Sequence, residues 1–99
     1  MADDYGAAQG HWLALVRRAR LPHRFKLALL IVGSYADPDG TRVYPGTARL
    51  ALDAQIGYST AKRYLAQMRE LGLIERVRRV KLKDKSDEYR LILHPDLLE

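Results

Sequence analysis

The chain of 99 residues is long enough for one domain and too short for a large multi-layer enzyme. Hydrophobic residues make up 47% of it and aromatic residues 8%, which is typical of a globular protein with a modest core. It contains no Cys, which excludes disulfides and thiolate zinc sites, and its 17 Lys and Arg against 12 Asp and Glu give a formal charge of +5.

The charge is unevenly distributed along the chain. Residues 1–16 carry two acids and no Lys or Arg, residues 17–85 carry 16 Lys and Arg against six acids, and residues 86–99 carry one Arg against four acids. The formal charges of the three segments are therefore −2, +10 and −3. A body this basic favours a polyanionic partner, because each cation placed on a phosphate releases condensed counterions. The alternative is a solvated basic surface without a partner.

The sequence predicts neither a membrane span nor an export signal. The longest apolar run, Leu27 to Gly33, falls far short of the roughly 18 residues that a membrane-spanning helix needs. The first four residues are Met-Ala-Asp-Asp, whereas signal and transit peptides begin with basic segments. We expect a cytoplasmic protein without a membrane partner.

The first predicted helix is short and ends in basic residues, Arg17, Arg18 and Arg20. We assign residues 1–20 to an N-terminal extension and residues 21–99 to the main domain. The apolar residues of this helix either contact a second copy of the chain in a homodimer or pack on the chain's own core. They are Trp12, Leu13, Leu15 and Val16.

The second predicted helix runs from Pro22 to about Tyr35 and is apolar on nearly all sides, so we expect it to be the buried spine of the domain. The segment from Asp37 to Gly40, with its Pro and Gly, predicts a turn. Residues 41–44 then predict a short strand.

Two further helices are predicted, from Thr47 to about Ala54 and then to Leu71, with a tight connection at residues 55–57. The second of these has one buried stripe, formed by Ala61, Leu65 and Met68 at positions i, i+4 and i+7. Gly72 is suited to its C-terminal cap.

After Gly72 the hydrophobic period changes to about two, which predicts a β-hairpin. Its strands are residues 73–82 and 87–93, with a turn at residues 83–86. The alternation slips between Val77 and Val80, which indicates a bulge or an early end of the regular ladder.

Two helices joined by a short turn, the second followed at once by a basic hairpin, are typical of the winged helix-turn-helix arrangement. The second helix of the pair buries its apolar stripe and leaves its other face free for the major groove, which admits one α-helix. Arg63 and Lys62 are candidates to donate to guanine, Ser59 is adaptable, and Tyr58 suits a thymine methyl or a phosphate. The predicted recognition residues are Tyr58, Ser59, Thr60, Lys62, Arg63 and Gln67. The alternative is an ordinary solvated helix face.

The hairpin is rich in cations, which suit the sugar-phosphate backbone or an adjacent minor groove. The same cations also protect strand edges from aggregation. The predicted wing and backbone contacts are Arg49, Arg78, Arg79, Lys81, Lys83 and Lys85.

Residues 28–91, about two-thirds of the chain, resemble the winged helix-turn-helix domain of bacterial, phage and plasmid DNA-binding proteins, including replication initiators and small regulators. The resemblance lies in Tyr44-Pro45-Gly46, Arg49-Leu50-Ala51, Gly72-Leu73-Ile74 and Tyr89-Arg90-Leu91, together with Ala36, Asp39-Gly40-Thr41, Thr60, Arg63, Leu65 and Met68. The chain departs from the family at the turn, where Gln55 and Gly57 replace the usual Gly and the Ser or Thr cap. Either Gly57 caps the recognition helix, or Ser59 does and Tyr58 lies outside the groove.

The expected fold is therefore α+β: a winged helix-turn-helix with an N-terminal helix, a three-helix core, a short strand and a C-terminal two-stranded wing. We expect a homodimer that binds double-stranded DNA sequence-specifically and acts by occupying its site. The resemblance implies a transcriptional regulator or a plasmid or phage replication or partition factor, associated with the bacterial nucleoid or a plasmid. The alternative is a winged helix module that binds an acidic protein or RNA.

Enzymatic and metal-binding functions have little support in the sequence. His11, His23 and His94 have no second ligand at i+3 or i+4, and no Gly-rich phosphate loop is present. We expect no enzyme activity, no cofactor, no metal and no small-molecule substrate.

Overall fold

The structure of the protein is a computed structural model, and it describes residues 5–44, 46–79 and 87–93. These residues form a mixed α+β fold of four helices and one two-stranded antiparallel sheet. The elements are α1 (Gln9–Arg18), α2 (His23–Ser34), α3 (Gly46–Ala54), α4 (Tyr58–Glu70), β1 (Ile74–Arg78) and β2 (Glu88–Leu91).

Helices α1 and α2 each supply a side chain that caps the C-terminal end of the other. Lys26, in the first turn of α2, donates from its amine to the carbonyl oxygens of Arg17 and Ala19, with an Nζ–O distance of 2.9 Å to Ala19. Gln9, the first residue of α1, donates from its amide to the carbonyl oxygens of Gly33 and Ala36, both at 3.0 Å. Because the last carbonyls of a helix have no partner within it, these bonds fix the two helices antiparallel to each other.

Gly33 allows α1 and α2 to approach closely. A Cβ atom at this position would lie 2.5 Å from the Trp12 ring and 2.6 Å from the Leu13 side chain. Trp12 is 0% exposed, and its indole nitrogen donates to the carbonyl oxygens of Leu73 at 2.9 Å and Ile92 at 3.1 Å. The indole therefore joins α1 to the two segments at the base of the sheet, just before β1 and just after β2.

The predicted strand at residues 41–44 is reduced to a single bridge. Val43 exchanges two backbone hydrogen bonds with Tyr89, at N–O distances of 3.0 and 2.8 Å, and no longer ladder forms within the described residues. Arg42 has a φ of 59°, which interrupts the extended conformation beside it. The preceding turn is confirmed, since the Gly40 amide donates to the Asp37 carbonyl at 2.8 Å and Gly40 has a φ of 86°.

Strands β1 and β2 pair from Ile74 opposite Leu91 to Arg78 opposite Glu88, with a register shift between Arg76 and Arg78. Val77 is the extra residue, so of the two predicted alternatives the structure shows a bulge, and it lies at Val77. A bulge turns a strand and changes where its side chains point, and Val77 is 52% exposed here. The predicted continuation of the first strand beyond residue 79 lies outside the described residues, as does the turn at residues 83–86.

Within the part of the chain that the structure describes, no helix is long and apolar enough to cross a membrane.

Candidate nucleic-acid interface

Helix α3 ends in a left-handed residue that redirects the chain into α4. Gln55 has a φ of 58°. The backbone N–H of Ile56 donates to the Ala51 carbonyl at 3.0 Å, and the backbone N–H of Gln55 donates to the Leu52 carbonyl at 3.3 Å. This is the Schellman arrangement, in which glycine usually occupies the left-handed position. Gln55 thus performs the conformational role of the glycine that the winged helix pattern led us to expect at the turn.

Gly57 precedes α4 as its N-terminal cap residue, in an extended conformation with φ −70° and ψ 158°. The Ala61 amide donates to the Gly57 carbonyl at 3.0 Å, so the first helical hydrogen bond closes on Gly57. Of the two alternatives left by the sequence, Gly57 is therefore the cap and Ser59 is not. Tyr58 is the first residue of the helix and is 59% exposed.

The inner side of α4 is the predicted apolar stripe. Ala61 and Met68 are 0% exposed and Leu65 is 4% exposed. The helix ends in a second Schellman arrangement: the Leu73 amide donates to the Met68 carbonyl at 3.0 Å, and Gly72 has a φ of 76°. The buried stripe thereby determines which side of α4 faces outward, and Gly72 ends the helix.

The outer side of α4 presents the residues that sequence reasoning assigned to the groove. Tyr58, Ser59, Lys62, Arg63 and Gln67 are exposed, and Thr60 is half-buried. Among the residues that the structure describes, none forms a side-chain hydrogen bond or an ion pair with Lys62 or Arg63. Two cations without acidic partners therefore lie on the free face of this helix.

Arg63 does have one intramolecular contact, which sequence reasoning missed. Its guanidinium lies over the Tyr64 ring, 5.8 Å from the centroid, and the Tyr64 ring in turn meets Phe25 of α2 edge to face. A cation held over an aromatic face keeps its hydrogen-bond donors free at the edge of the guanidinium. The adjacent Arg-Tyr pair in the sequence was a weak signal for this contact, because the ring's orientation depends on Phe25.

The cations of the sheet fall into two groups. Arg90 pairs with Glu75 directly across the strands at 3.0 Å, and Arg76 Nε lies 3.2 Å from the Asp87 carboxylate without a well-aligned hydrogen bond. By contrast, Arg78 and Arg79 are exposed and have no side-chain partner among the described residues. Arg78 and Arg79 are thus the sheet cations available to a partner. Lys81, Lys83 and Lys85 lie outside the described residues.

Arg49, the predicted backbone contact on α3, has an acidic neighbour. Its guanidinium lies 3.3 Å from the carboxylate of Asp53 one helical turn later, and the Tyr35 hydroxyl donates to the same carboxylate. The Arg49 side chain remains 65% exposed. Its charge is partly balanced within the chain, which distinguishes it from Lys62 and Arg63.

The predicted dimer residues of α1 divide in two. Trp12 is 0% exposed and Val16 3% exposed, and both belong to the same core cluster as the buried residues of α2, α4 and the sheet. Of the two alternatives left by the sequence, packing on the chain's own core is the one observed for these two side chains. Leu13 and Leu15 are half-buried.

Within the described residues, no three His, Asp or Glu side chains converge as a group that could hold a metal ion. No family model matches the chain, and neither a curated protein nor a solved structure matches it significantly.

Proposed function

We propose that this chain is a winged helix-turn-helix protein that binds double-stranded DNA by inserting α4 into the major groove. The observation that carries the proposal is the exposed face of α4. Ser59, Lys62 and Arg63 lie on it within the first two turns, and neither cation has an acidic partner among the described residues. The groove is about 12 Å wide and an α-helix with its side chains has a similar diameter, so the first turns of such a helix reach base edges.

Two features of the sheet support the winged form of this arrangement. The Val43 bridge places a third extended segment against β2, on the edge opposite β1, where the N–H and C=O of Tyr89 both bond to Val43. The sheet then ends in the unpaired cations Arg78 and Arg79, which suit the phosphate backbone. Base contacts from α4 would specify the site, while contacts from the sheet would orient the protein on it.

The biological role that fits this proposal is site occupancy. A domain of this size makes few base contacts, so useful specificity favours two copies on a palindromic or repeated site. Transcriptional regulation, plasmid or phage replication and plasmid partition all use such binding. Of the four residues predicted to face a second copy, Leu13 and Leu15 retain exposed surface.

The proposal is tested by measuring the binding of the protein to a fluorescently labelled duplex of random sequence, by fluorescence anisotropy. We expect binding at low salt that weakens by about a thousandfold between about 50 and 200 mM salt, as for proteins that neutralise several phosphates. Double-stranded RNA and polyglutamate serve as competitors. If duplex DNA is not retained even at low salt, or if either competitor displaces it at equal concentration, the DNA proposal fails.

A further inference from the structure

Resting on the DNA-binding function proposed above, we infer that a second cationic surface, at the junction of α1 and α2, binds the phosphate backbone beside the groove that α4 occupies. This surface is called the basic corner here, and it consists of Arg17, Arg18, Arg20 and Arg24. The predicted contacts of α4 and the sheet do not include it. Its occupant would be the same DNA duplex, held without reference to sequence.

The basic corner lies in the longest stretch of the chain without an acidic residue. Residues 5–36 contain no Asp or Glu, whereas they contain five Lys and Arg. Four of those five are the exposed arginines of the corner. Within the described part of the chain, none of the four has a side-chain hydrogen bond or an acidic partner. Their charges are therefore not balanced locally.

The fifth cation of this stretch, Lys26, has a structural role, which is to cap the C-terminal end of α1. Its amine donates to two carbonyls at the end of α1, and it is half-buried. Arg17 and Arg18 lie in the last turn of α1, where the helix dipole favours cations, whereas Arg20 and Arg24 have no comparable task. Arg24 lies in the first turn of α2, where the helix dipole favours acidic side chains over basic ones. Helix stability does not explain a cation at that position.

The residues between and after Arg20 and Arg24 place this part of the chain beside α4. Phe25 follows Arg24 and packs on Tyr64 with ring centroids 5.3 Å apart. A groove of about 530 Å³ runs between the two elements, with Leu21, Pro22 and Phe25 on one wall and Arg63, Tyr64 and Gln67 on the other. Glu70, at the end of α4, is the acidic residue of this lining.

The position of the corner determines which part of the DNA it meets. A helix that fills the major groove leaves little space beside it, so an element packed against the helix's flank faces the phosphates along that wall of the groove. Phe25, the residue after Arg24, packs in this way on the flank of Tyr64. Flexible arginines there can contact phosphates without reading bases, as most protein–DNA contacts do.

The test compares the salt dependence of duplex binding for three proteins: the wild type, the double variant Arg20→Gln/Arg24→Gln, and the single variant Arg42→Gln. Each phosphate contact contributes about 0.9 to the slope of log K against log salt. We expect the double variant to lose about 0.9 for each contact removed, with weaker binding to every sequence alike. Arg42 is exposed and pairs with Asp37 at 3.7 Å, remote in sequence from the corner, and its removal should leave the slope unchanged.

The possible outcomes separate this inference from the function on which it rests. If the wild type does not retain duplex DNA, the proposed function itself fails. If the wild type binds but the double variant keeps the wild-type slope, the basic corner does not contact DNA and only the inference is overturned. A slope change of the same size per arginine in Arg42→Gln would mean a net-charge effect and would also overturn it. Far-UV circular dichroism checks that the variants remain folded.

Discussion

Phe25 of α2 meets Tyr64 of α4 edge to face, with ring centroids 5.3 Å apart and an angle of 82° between the ring planes. This contact ties the first turn of α2 to the middle of α4, at the same Tyr64 ring over which the guanidinium of Arg63 lies. The aromatic pair is thus the point at which the core of the protein supports its proposed DNA-binding face. Phe25 is 6% exposed, so removal of its ring would leave an internal cavity.

We expect Phe25→Ala to lower the free energy of unfolding by about 3–5 kcal/mol, because it removes buried apolar surface and leaves a void against Tyr64. Phe25→Leu should cost much less, since it retains most of the volume. Urea denaturation of the two variants and the wild type measures both effects. Equal stability of the Ala and Leu variants would show that the ring does not fill the space described here.

A second prediction concerns two glycines in the antiparallel helices α1 and α2. Gly33→Ala should lower the free energy of unfolding by about 1–3 kcal/mol, because the added methyl group would lie 2.5 Å from the Trp12 ring. Gly10→Ala should raise it by up to about 1 kcal/mol, since Gly10 is helical and a Cβ there meets nothing within 4 Å. Thermal denaturation of the two variants gives changes of opposite sign. A Gly33→Ala variant as stable as the wild type would contradict the close packing of α1 on α2.

The contrast between these glycines also explains what the sequence could and could not predict. The spacing of Trp12 and Val16 indicates an apolar helix face, but an apolar face has the same pattern whether it covers the chain's own core or a second copy. The deciding feature is Gly33, whose missing side chain makes room for the Trp12 ring. That complementarity joins positions 21 residues apart, and helical periodicity carries no information about it.

Helix α4 was predictable because its determinants are local. The i, i+4, i+7 stripe fixes the buried side, and Gly72 supplies the left-handed residue that ends the helix. By contrast, the extent of the strand predicted at residues 41–44 could not be predicted. The β-propensity of a residue describes its fit to a sheet and does not identify its partner. Here Arg42 adopts a positive φ and only Val43 finds a partner, at Tyr89.

The candidate site was likewise predictable only in part. The exposure of the outer side of α4 follows from its buried stripe. The ion pair of Arg49 with Asp53 also has a sequence signal, the i, i+4 spacing of opposite charges on a helix. The pairing of Arg76 with Asp87 depends on the register of the two strands and on the bulge at Val77. Sequence alone could not separate this arginine from Arg78 and Arg79.

A third prediction concerns alkaline pH. Burial raises the pKa of Tyr35 above its ordinary value of 10.0, and its hydrogen bond to the Asp53 carboxylate raises it further. Because the folded protein holds this hydroxyl protonated, the stabilisation is fully present below about pH 10 and is lost as the pH rises beyond that.

The measurement compares the wild type with Tyr35→Phe by denaturation at a series of pH values. We expect any stability advantage of the wild type over the variant to be constant up to about pH 10 and to shrink above it. In a spectrophotometric titration of the folded wild type, we expect Tyr35, identified by its absence from the variant, to ionise above the ordinary range for tyrosine. Ionisation of that tyrosine at its ordinary pKa in the folded protein would contradict the contact with Asp53.

The central claim is that α4 reads base edges while the end of the sheet contacts phosphates. It is tested most directly by selecting bound duplexes from a random pool with the wild type, Arg63→Ala and Arg79→Ala in parallel. We predict a short consensus for the wild type, a loss of preference at one position worth about 1–3 kcal/mol for Arg63→Ala, and an unchanged consensus with uniformly weaker binding for Arg79→Ala. Equal, sequence-independent losses for both variants, or no enriched sequence for the wild type, would contradict the account.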